Sequence, residues 1–416
     1  MTLDYTPKLG WRIVSILFVT QSLASAGMIA TFTVNPIVGA SLSGNDALAG
    51  LPGALLQIGA ATAAYPAGRL MARFGRRPGL TAGFAFGMAG MMVSGTAIML
   101  SSFLLFLFGL ALIGVARGIV DQARYAAADA QPIDLRARAI STTVFASTVG
   151  AIGGPALVAP LGSLVGSFGM NPLAGPMFGG AVLMLIGGVI MALLLRPDPR
   201  DIARSIAKLQ PLAEQKADQA LRALGEIVRQ PRFQMAVVAM IFGQTIMVLV
   251  MQVTSLHMSH HDHGLGDISL VFGAHTLGMF GVSFATGFIA DRFGRPVTIA
   301  IGALTLIGGA LLAPVSLMTP WIALALFLVG LGWNMCYIGG STLLSDVLSP
   351  AEHGQYQGMT DLAVNIAAAS SSLSSGFIMA AFGYGLLCLL GAGLALIPLA
   401  LVGWQGVRGR MAVAVS

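Results

Sequence analysis

The sequence predicts an all-α polytopic membrane protein of twelve spans in two six-helix halves, and three observations predict it. Only 22 Lys and Arg and 16 Asp and Glu occur in 416 residues, 9% of the chain, against about 25% in soluble domains. Apolar residues make up 56%, in runs that fit twelve crossings at about 20 residues each. The third observation is that the second half repeats loop motifs of the first.

Apolar runs place the first six spans near 11–38, 47–70, 79–99, 103–126, 139–165 and 174–195. The second six lie near 233–256, 267–290, 297–317, 321–345, 356–381 and 384–404. The first run, Ile13 to Val34, contains Ala24, Ser25 and Ala26, which imitate a cleavage site. It continues past them and is too long for a signal core, so it reads as an uncleaved span. The domains are then an N-terminal half (1–195), a cytoplasmic linker (196–232) and a C-terminal half (233–416). In the linker Ile202, Ile206 and Leu209, then Leu221, Leu224 and Val228, recur at helical spacing and are broken by Pro211, which predicts a surface helix pair.

The net charge of +6 is topological. Lys8, Arg12, Arg69, Arg73, Arg76, Arg77, Arg136, Arg138, Arg292, Arg295, Arg408 and Arg410 all fall in the loops on one side of this span scheme or at the span ends beside them. The linker adds Arg196, Arg200, Arg204, Lys208, Lys216, Arg222, Arg229 and Arg232. Of the Lys and Arg residues only Arg117 and Arg124 lie elsewhere, in the fourth span. By the positive-inside rule both termini are cytoplasmic, and no nucleic-acid partner is needed to explain the charge.

The repeat pairs Gly68, Arg73, Gly75 and Arg76 after the second span with Gly287, Asp291, Arg292, Gly294 and Arg295 after the eighth. Gly68 and Gly287 are 219 positions apart. A second echo pairs Asp129 with Asp346. Parallel six-span halves of this kind build the major facilitator transporters, and the doubled Gly, Asp-Arg, Gly-Arg loop resembles the signature of that superfamily. The resemblance implies that these loops gate the halves, their Asp acting on a helix N-terminus, where negative charge is favoured. The first copy has Ala72 where the second has Asp291, so the second copy is the stronger gating candidate.

Spans 7 and 8 carry the candidate chemistry. Met247 and Met251 are four apart, as are His275 and Met279, so each pair shares a helix face. If the two spans form an antiparallel hairpin, Met247 lies level with Met279 and Met251 with His275. Thioether and imidazole select a soft cation such as Cu(I), while the lack of carboxylates and thiolates disfavours Mg, Ca, Mn and structural Zn. An ionisable side chain within a span is costly and by default functional. A Met pair alone also serves as flexible core filler.

With both pairs in place the sequence resembles the CcoA-like copper importers of the CalT family. That resemblance implies copper import across the bacterial cytoplasmic (inner) membrane for biogenesis of cbb3-type cytochrome oxidase. The copper ion is then cargo, no resident cofactor is expected, and a copper chaperone is the inside acceptor. Beside the lipid bilayer no further partner is implied, and the protein is read as a monomer. A carrier of riboflavin or a drug-like solute, and a non-transporting copper sensor or assembly partner, remain as alternatives.

His257, His260, His261 and His263 cluster on the loop after span 7, as a copper-capture patch or as a solvated loop. Arg117 and Asp121, four apart in span 4, together with Asp361 in span 11, serve either proton coupling or a structural ion pair. Cys336 and Cys388 differ in depth by some 16 Å at 1.5 Å per residue, beyond disulfide reach. No nucleotide loop, nucleophile triad or redox motif is present, so the reading is a secondary transporter and not an enzyme.

Overall fold

The computed structural model describes residues 6–209, 224–348 and 352–415. Among them every regular element is helical. The chain forms two compact units, one of Met1–Asn45 and Leu51–Glu214, the other of Asp46–Gly50 and Gln215–Ser416.

The first unit runs α1 (Pro7–Ser43), α2 (Leu51–Phe74), α3 (Arg76–Met99), α4 (Phe103–Val120), α5 (Ala123–Asp129), α6 (Ile133–Ser167), α7 (Gly175–Leu194) and α8 (Pro199–Leu209). Thr6 caps α1 by accepting the Leu9 N–H at 3.3 Å, with Pro7 opening the helix, the usual start signal. α1 packs on α6 and α7, and α3 on α4 and α7. Small residues let backbones approach; a Cβ on Gly118 of α4 would stand 2.3 Å from the Ala60 carbonyl of α2.

The second unit runs α9 (Leu224–Val228), α10 (Pro231–His260), α11 (Leu265–Thr276), a π-helical turn (Leu277–Gly281), α12 (Ser283–Phe293), α13 (Arg295–Leu312), α14 (Thr319–Val347) and α15 (His353–Val415). The short 3-10 turn Asp46–Gly50 packs on α15, where the Ser372 hydroxyl donates to the Gly50 carbonyl at 2.8 Å.

Eleven helical segments of the described residues are long and apolar enough to cross a membrane, and the last, Tyr356–Gln405, has 50 residues. At 1.5 Å per residue that is about 75 Å of helix, against a hydrocarbon core of about 30 Å. Gly383, with φ 79° and ψ 170°, interrupts it and divides it into two spans. Twelve spans result, and this division falls between the sequence-predicted edges 381 and 384.

The linker is helical at both described ends. Ile202 and Ile206 of α8 are buried where that helix meets α3 and α5, as the apolar stripe predicts. At the other end Val228 is 42% exposed while Ile227 is fully buried. The predicted stripe is off by one there, because α9 is a single short turn placed by the packing of Ile227 in one core with Phe233 and not by its own periodicity. Pro211, Lys216, Leu221 and Arg222 lie outside the described residues.

α14 is the spine of the second unit, since α10, α11, the π-turn and α13 all pack on it. Its glycines make this possible. A Cβ on Gly330 would stand 2.3 Å from the His275 carbonyl, and one on Gly340 would stand 2.8 Å from Met240 and 2.9 Å from the Ala236 carbonyl. Gly330→Ala is therefore expected to cost about 1–3 kcal/mol through overpacking, read as a lower melting temperature in detergent. Gly393→Ala, whose new methyl meets nothing within 4 Å, should not lower it.

Candidate cation site in the second unit

His275 lies in the last turn of α11 and is fully buried. Its Nδ1 lies 2.9 Å from the Leu326 carbonyl of α14. A carbonyl only accepts, so Nδ1 carries the proton in this bond, and in the neutral ring the lone pair is left on Nε2. That Nε2 is buried and has no hydrogen-bond partner among the described residues. A backbone carbonyl that fixes one ring nitrogen and leaves the other bare is the arrangement that orients histidine as a metal ligand.

One residue beyond His275, after Thr276, the helix loosens into the π-turn, a rare geometry often found at functional sites. Asn334 of α14 mends the altered ladder. Its amide donates to the Met279 carbonyl at 2.6 Å and to the Ser283 hydroxyl at 2.9 Å, and its oxygen accepts from Thr286 at 2.6 Å. Met279 itself is half-buried. With i→i+5 bonding the turn holds more residues, so the four steps from His275 to Met279 return closer to one full revolution than in an α-helix.

Met247 and Met251 of α10 are each 6% exposed. They lie in a stretch, Ile246 to Leu256, that is buried on every face. The sequence reading packs spans 7 and 8 against each other as a hairpin; in the structure α10 takes α14 and α15 as its main neighbours, and α11 takes α14. The glycines of α14 explain the difference, since they receive both helices at backbone distance. The two residue pairs thus sit on helices that share α14 as their common support.

The four clustered histidines point to different partners. His257 and His260 belong to the last turn of α10, not to a loop, and His261 caps it. His257 stacks on Tyr384 with ring centroids 4.1 Å apart and lies 4.5 Å from the His261 ring; the His261 Nδ1 is 2.8 Å from the His257 carbonyl. His260 Nε2 faces Asp46 at 3.6 Å. His263 Nδ1 meets the Thr319 hydroxyl at 3.2 Å and Asp267 at 3.9 Å. Among the described residues no group of three or more His, Cys, Asp or Glu is placed to hold a metal ion, and the ring contact within the cluster is that of His257 with His261.

The signature loops repeat an ion pair in each unit. Arg76 Nε lies 2.8 Å from Asp129, and Arg295 Nε lies 3.1 Å from Asp346, so the two sequence echoes meet in space. Gly75 and Gly294 turn the chain with φ 108° and 92°, which only glycine adopts freely. Gly68 and Gly287 have open space where a Cβ would stand. Arg73 and Arg292 lie over the rings of Phe74 and Phe293. Asp291 is 77% exposed and pairs with Arg295 at 3.3 Å.

Arg117 donates to Gln57 at 2.9 Å and faces Asp121 at 3.9 Å, with Asp121 in the break between α4 and α5. Asp361 lines a cavity of about 310 Å³ with Tyr337, Ser341, Thr342, Ser345 and Gln357. Cys336 and Cys388 are both buried and unbridged.

Twelve helical spans in which a loop signature is duplicated define a multi-pass membrane carrier. The sequence profile described as Major Facilitator Superfamily matches residues 17–372 and 254–413, and the chain belongs to that superfamily. It is 37% identical over 404 residues to the uncharacterized MFS-type transporter YdeG of Bacillus subtilis, covering 96% of this chain and 92% of YdeG. It is 31% identical over 373 residues to the riboflavin transporter RfnT of Brucella anthropi, covering 90% of each. Among solved structures, a bacterial homolog of the human lysosomal transporter Spinster shares the fold with TM-score 0.70 at 16% identity, over 97% of this chain and 96% of that one. The nucleoside transporter NupG gives 0.68 at 15% identity, over 94% and 98%.

Asn334 sets the geometry of the site without being a ligand. Replacing it with Leu takes the side-chain donor from the Met279 carbonyl and leaves the buried Thr286 hydroxyl only its longer 3.4 Å bond to the Val282 carbonyl, while Ser283 still donates to the Phe280 carbonyl; a buried polar group left unmet costs about 1–3 kcal/mol. Asn334→Leu is expected to lower the melting temperature more than Asn365→Leu, at an exposed position whose amide donates to the Asp361 carbonyl one helical turn back.

Proposed function

We propose that this secondary transporter imports copper, as Cu(I), with Met247, Met251, His275 and Met279 as its ligands. The observation that carries the reading is the bare, buried Nε2 of His275, held in the ligand-ready tautomer beside a π-turn that presents Met279. Thioether and imidazole donors without carboxylates suit a soft monovalent ion, and the sequence resembles the CcoA-like copper importers at both residue pairs. The copper ion is substrate; the chain needs no resident cofactor and works as a monomer. The placement of Lys and Arg supports a location in the bacterial inner membrane with both termini in the cytoplasm, where a copper chaperone accepts the ion for cbb3-type oxidase biogenesis. His257 and His261 are the members of the histidine cluster best placed to capture copper. The Arg117–Asp121 pair and Asp361 are the groups available for proton coupling, with a structural ion pair as the simpler role for the first two.

A second reading, a carrier of an organic solute, is favoured by the 31% identity to a riboflavin transporter.

Uptake of radioactive copper and of riboflavin, measured in cells expressing wild type, His275→Ala and His275→Gln, separates the two. Copper uptake should fall at least about tenfold in both variants, the scale on which altered ligand shells act. Gln retains a donor for the Leu326 carbonyl, so its failure isolates the lost ligand from lost packing. Riboflavin uptake that survives in both variants, with no copper uptake in wild type, decides for the organic solute. Copper binding to purified protein without flux decides for a sensor or assembly partner.

A further inference from the structure

The α2–α3 turn carries the signature copy in which Ala72 stands where the second copy has Asp291. A carboxylate reaches this turn nevertheless, from a distant part of the sequence. Asp198, just after α7, accepts the Arg76 N–H on Oδ1 at 3.0 Å and the Arg77 N–H on Oδ2 at 2.9 Å. These are the first N–H groups of α3, which have no partner within the helix and mark the positive end of its dipole. The residue at the cap position, Gly75, has no side chain to offer, and its lack of one is what admits Asp198. A Cβ there would stand 2.5 Å from Oδ2.

The same carboxylate serves a second helix start, because Oδ1 also accepts the Arg200 N–H at 2.9 Å as α8 begins. Arg200 then reaches back to the other side of the turn, donating to the Arg73 carbonyl at 2.8 Å and lying 3.5 Å from that of Ala72. Those carbonyls end α2, where the dipole is negative. Residues 198 and 200 therefore hold the turn with a negative charge on its N-terminal helix end and a positive charge on its C-terminal one. Around them Arg76 pairs with Asp129 of α5, Arg77 donates to the Ala192 carbonyl of α7 at 2.9 Å, and Arg12 of α1 donates to the Arg196 carbonyl. In the second unit the cap position of α13 is likewise a glycine, Gly294, with no side chain to offer.

We infer that Asp198 is a positioning residue for the transport cycle: it supplies, at the start of α3, the negative charge that Ala72 cannot, and so joins the ends of α1, α2, α3, α5 and α7 into one rigid piece. Transporters built from such repeats alternate by rocking nearly rigid halves, and a half passes motion on only as far as its helices move together. The inference concerns the motion of the carrier and stands whatever the cargo.

The test is made on full-length protein in detergent, with spin labels on Leu70→Cys and Val297→Cys. Buried Cys336 and Cys388 are left in place. Asp198→Ala is expected to broaden and shift the label-to-label distance distribution, with Asp198→Asn, which keeps the shape and loses the charge, in between. Hydrogen exchange at Arg76 and Arg77 should rise ~tenfold in Asp198→Ala, the usual worth of a capping side chain, with the middle of α3 unchanged. Should Asp198→Ala fail to assemble, Asp198→Asn carries the same comparison. Unchanged exchange overturns the cap. Faster exchange with an unchanged distance distribution reduces Asp198 to local helix stabilisation and overturns the positioning role.

Discussion

A backbone N–H or C=O in hydrocarbon has no partner except the protein itself, and most of this structure follows from that constraint. It forces every described span into a helix, and it makes each departure from the helix visible as a group that something else must satisfy. At the π-turn Asn334 takes the Met279 carbonyl and the neighbouring hydroxyls. At His275 the Leu326 carbonyl fixes the ring. At the start of α3 Asp198 takes two orphan N–H groups. The most informative side chains are thus found where the backbone ladder is interrupted.

The sequence made the span scheme legible because span length and apolar composition answer to the bilayer and not to neighbouring helices. Gly383 separates spans 11 and 12 where the charge and turn pattern divides them. The two loop echoes were legible because duplication preserved Arg76 with Arg295 and Asp129 with Asp346; that each arginine meets an aspartate, Asp129 lying 53 residues beyond Arg76, was not. The packing order was not legible. A hairpin of spans 7 and 8 follows from connectivity, but helix neighbours in a membrane are chosen by where backbones can approach, and Gly330 and Gly340 give that surface to α14. Asp198 was hidden because its partners are backbone groups far away in the chain, and as one of five acidic residues in a basic linker it carries no pattern.

The candidate site divides along the same line. Residue types and the i,i+4 spacings of Met247, Met251, His275 and Met279 are sequence properties, and each side chain lies on the predicted span. Which nitrogen of His275 is bare depends on Leu326, 51 residues away, and the local geometry of Met279 depends on a π-turn that no periodicity announces. The histidine cluster shows the opposite error. Four histidines close in sequence look like one patch, yet a helix turns successive side chains by about 100° each, which carries His260 away from His257, and the turn at His261 and Asp262 beyond the helix end carries His263 to other partners.

The placement of charge also bears on what a cargo meets. The ion pairs of the signature loops, Arg76 with Asp129 and Arg295 with Asp346, sit at helix ends, where partial exposure lets water share the solvation cost that a fully buried pair must recover from its own geometry. The spans that bear Met247, Met251 and His275 use neutral donors instead, and a neutral donor set neither pays nor recovers that cost. On the copper reading this has a direct consequence. An ion bound by neutral thioether and imidazole keeps its whole charge, so its retention depends on ligand softness and on how closely the donors converge. Because the two residue pairs are carried by helices that both rest on α14, a small change in how either seats on that spine alters the convergence, and with it the affinity.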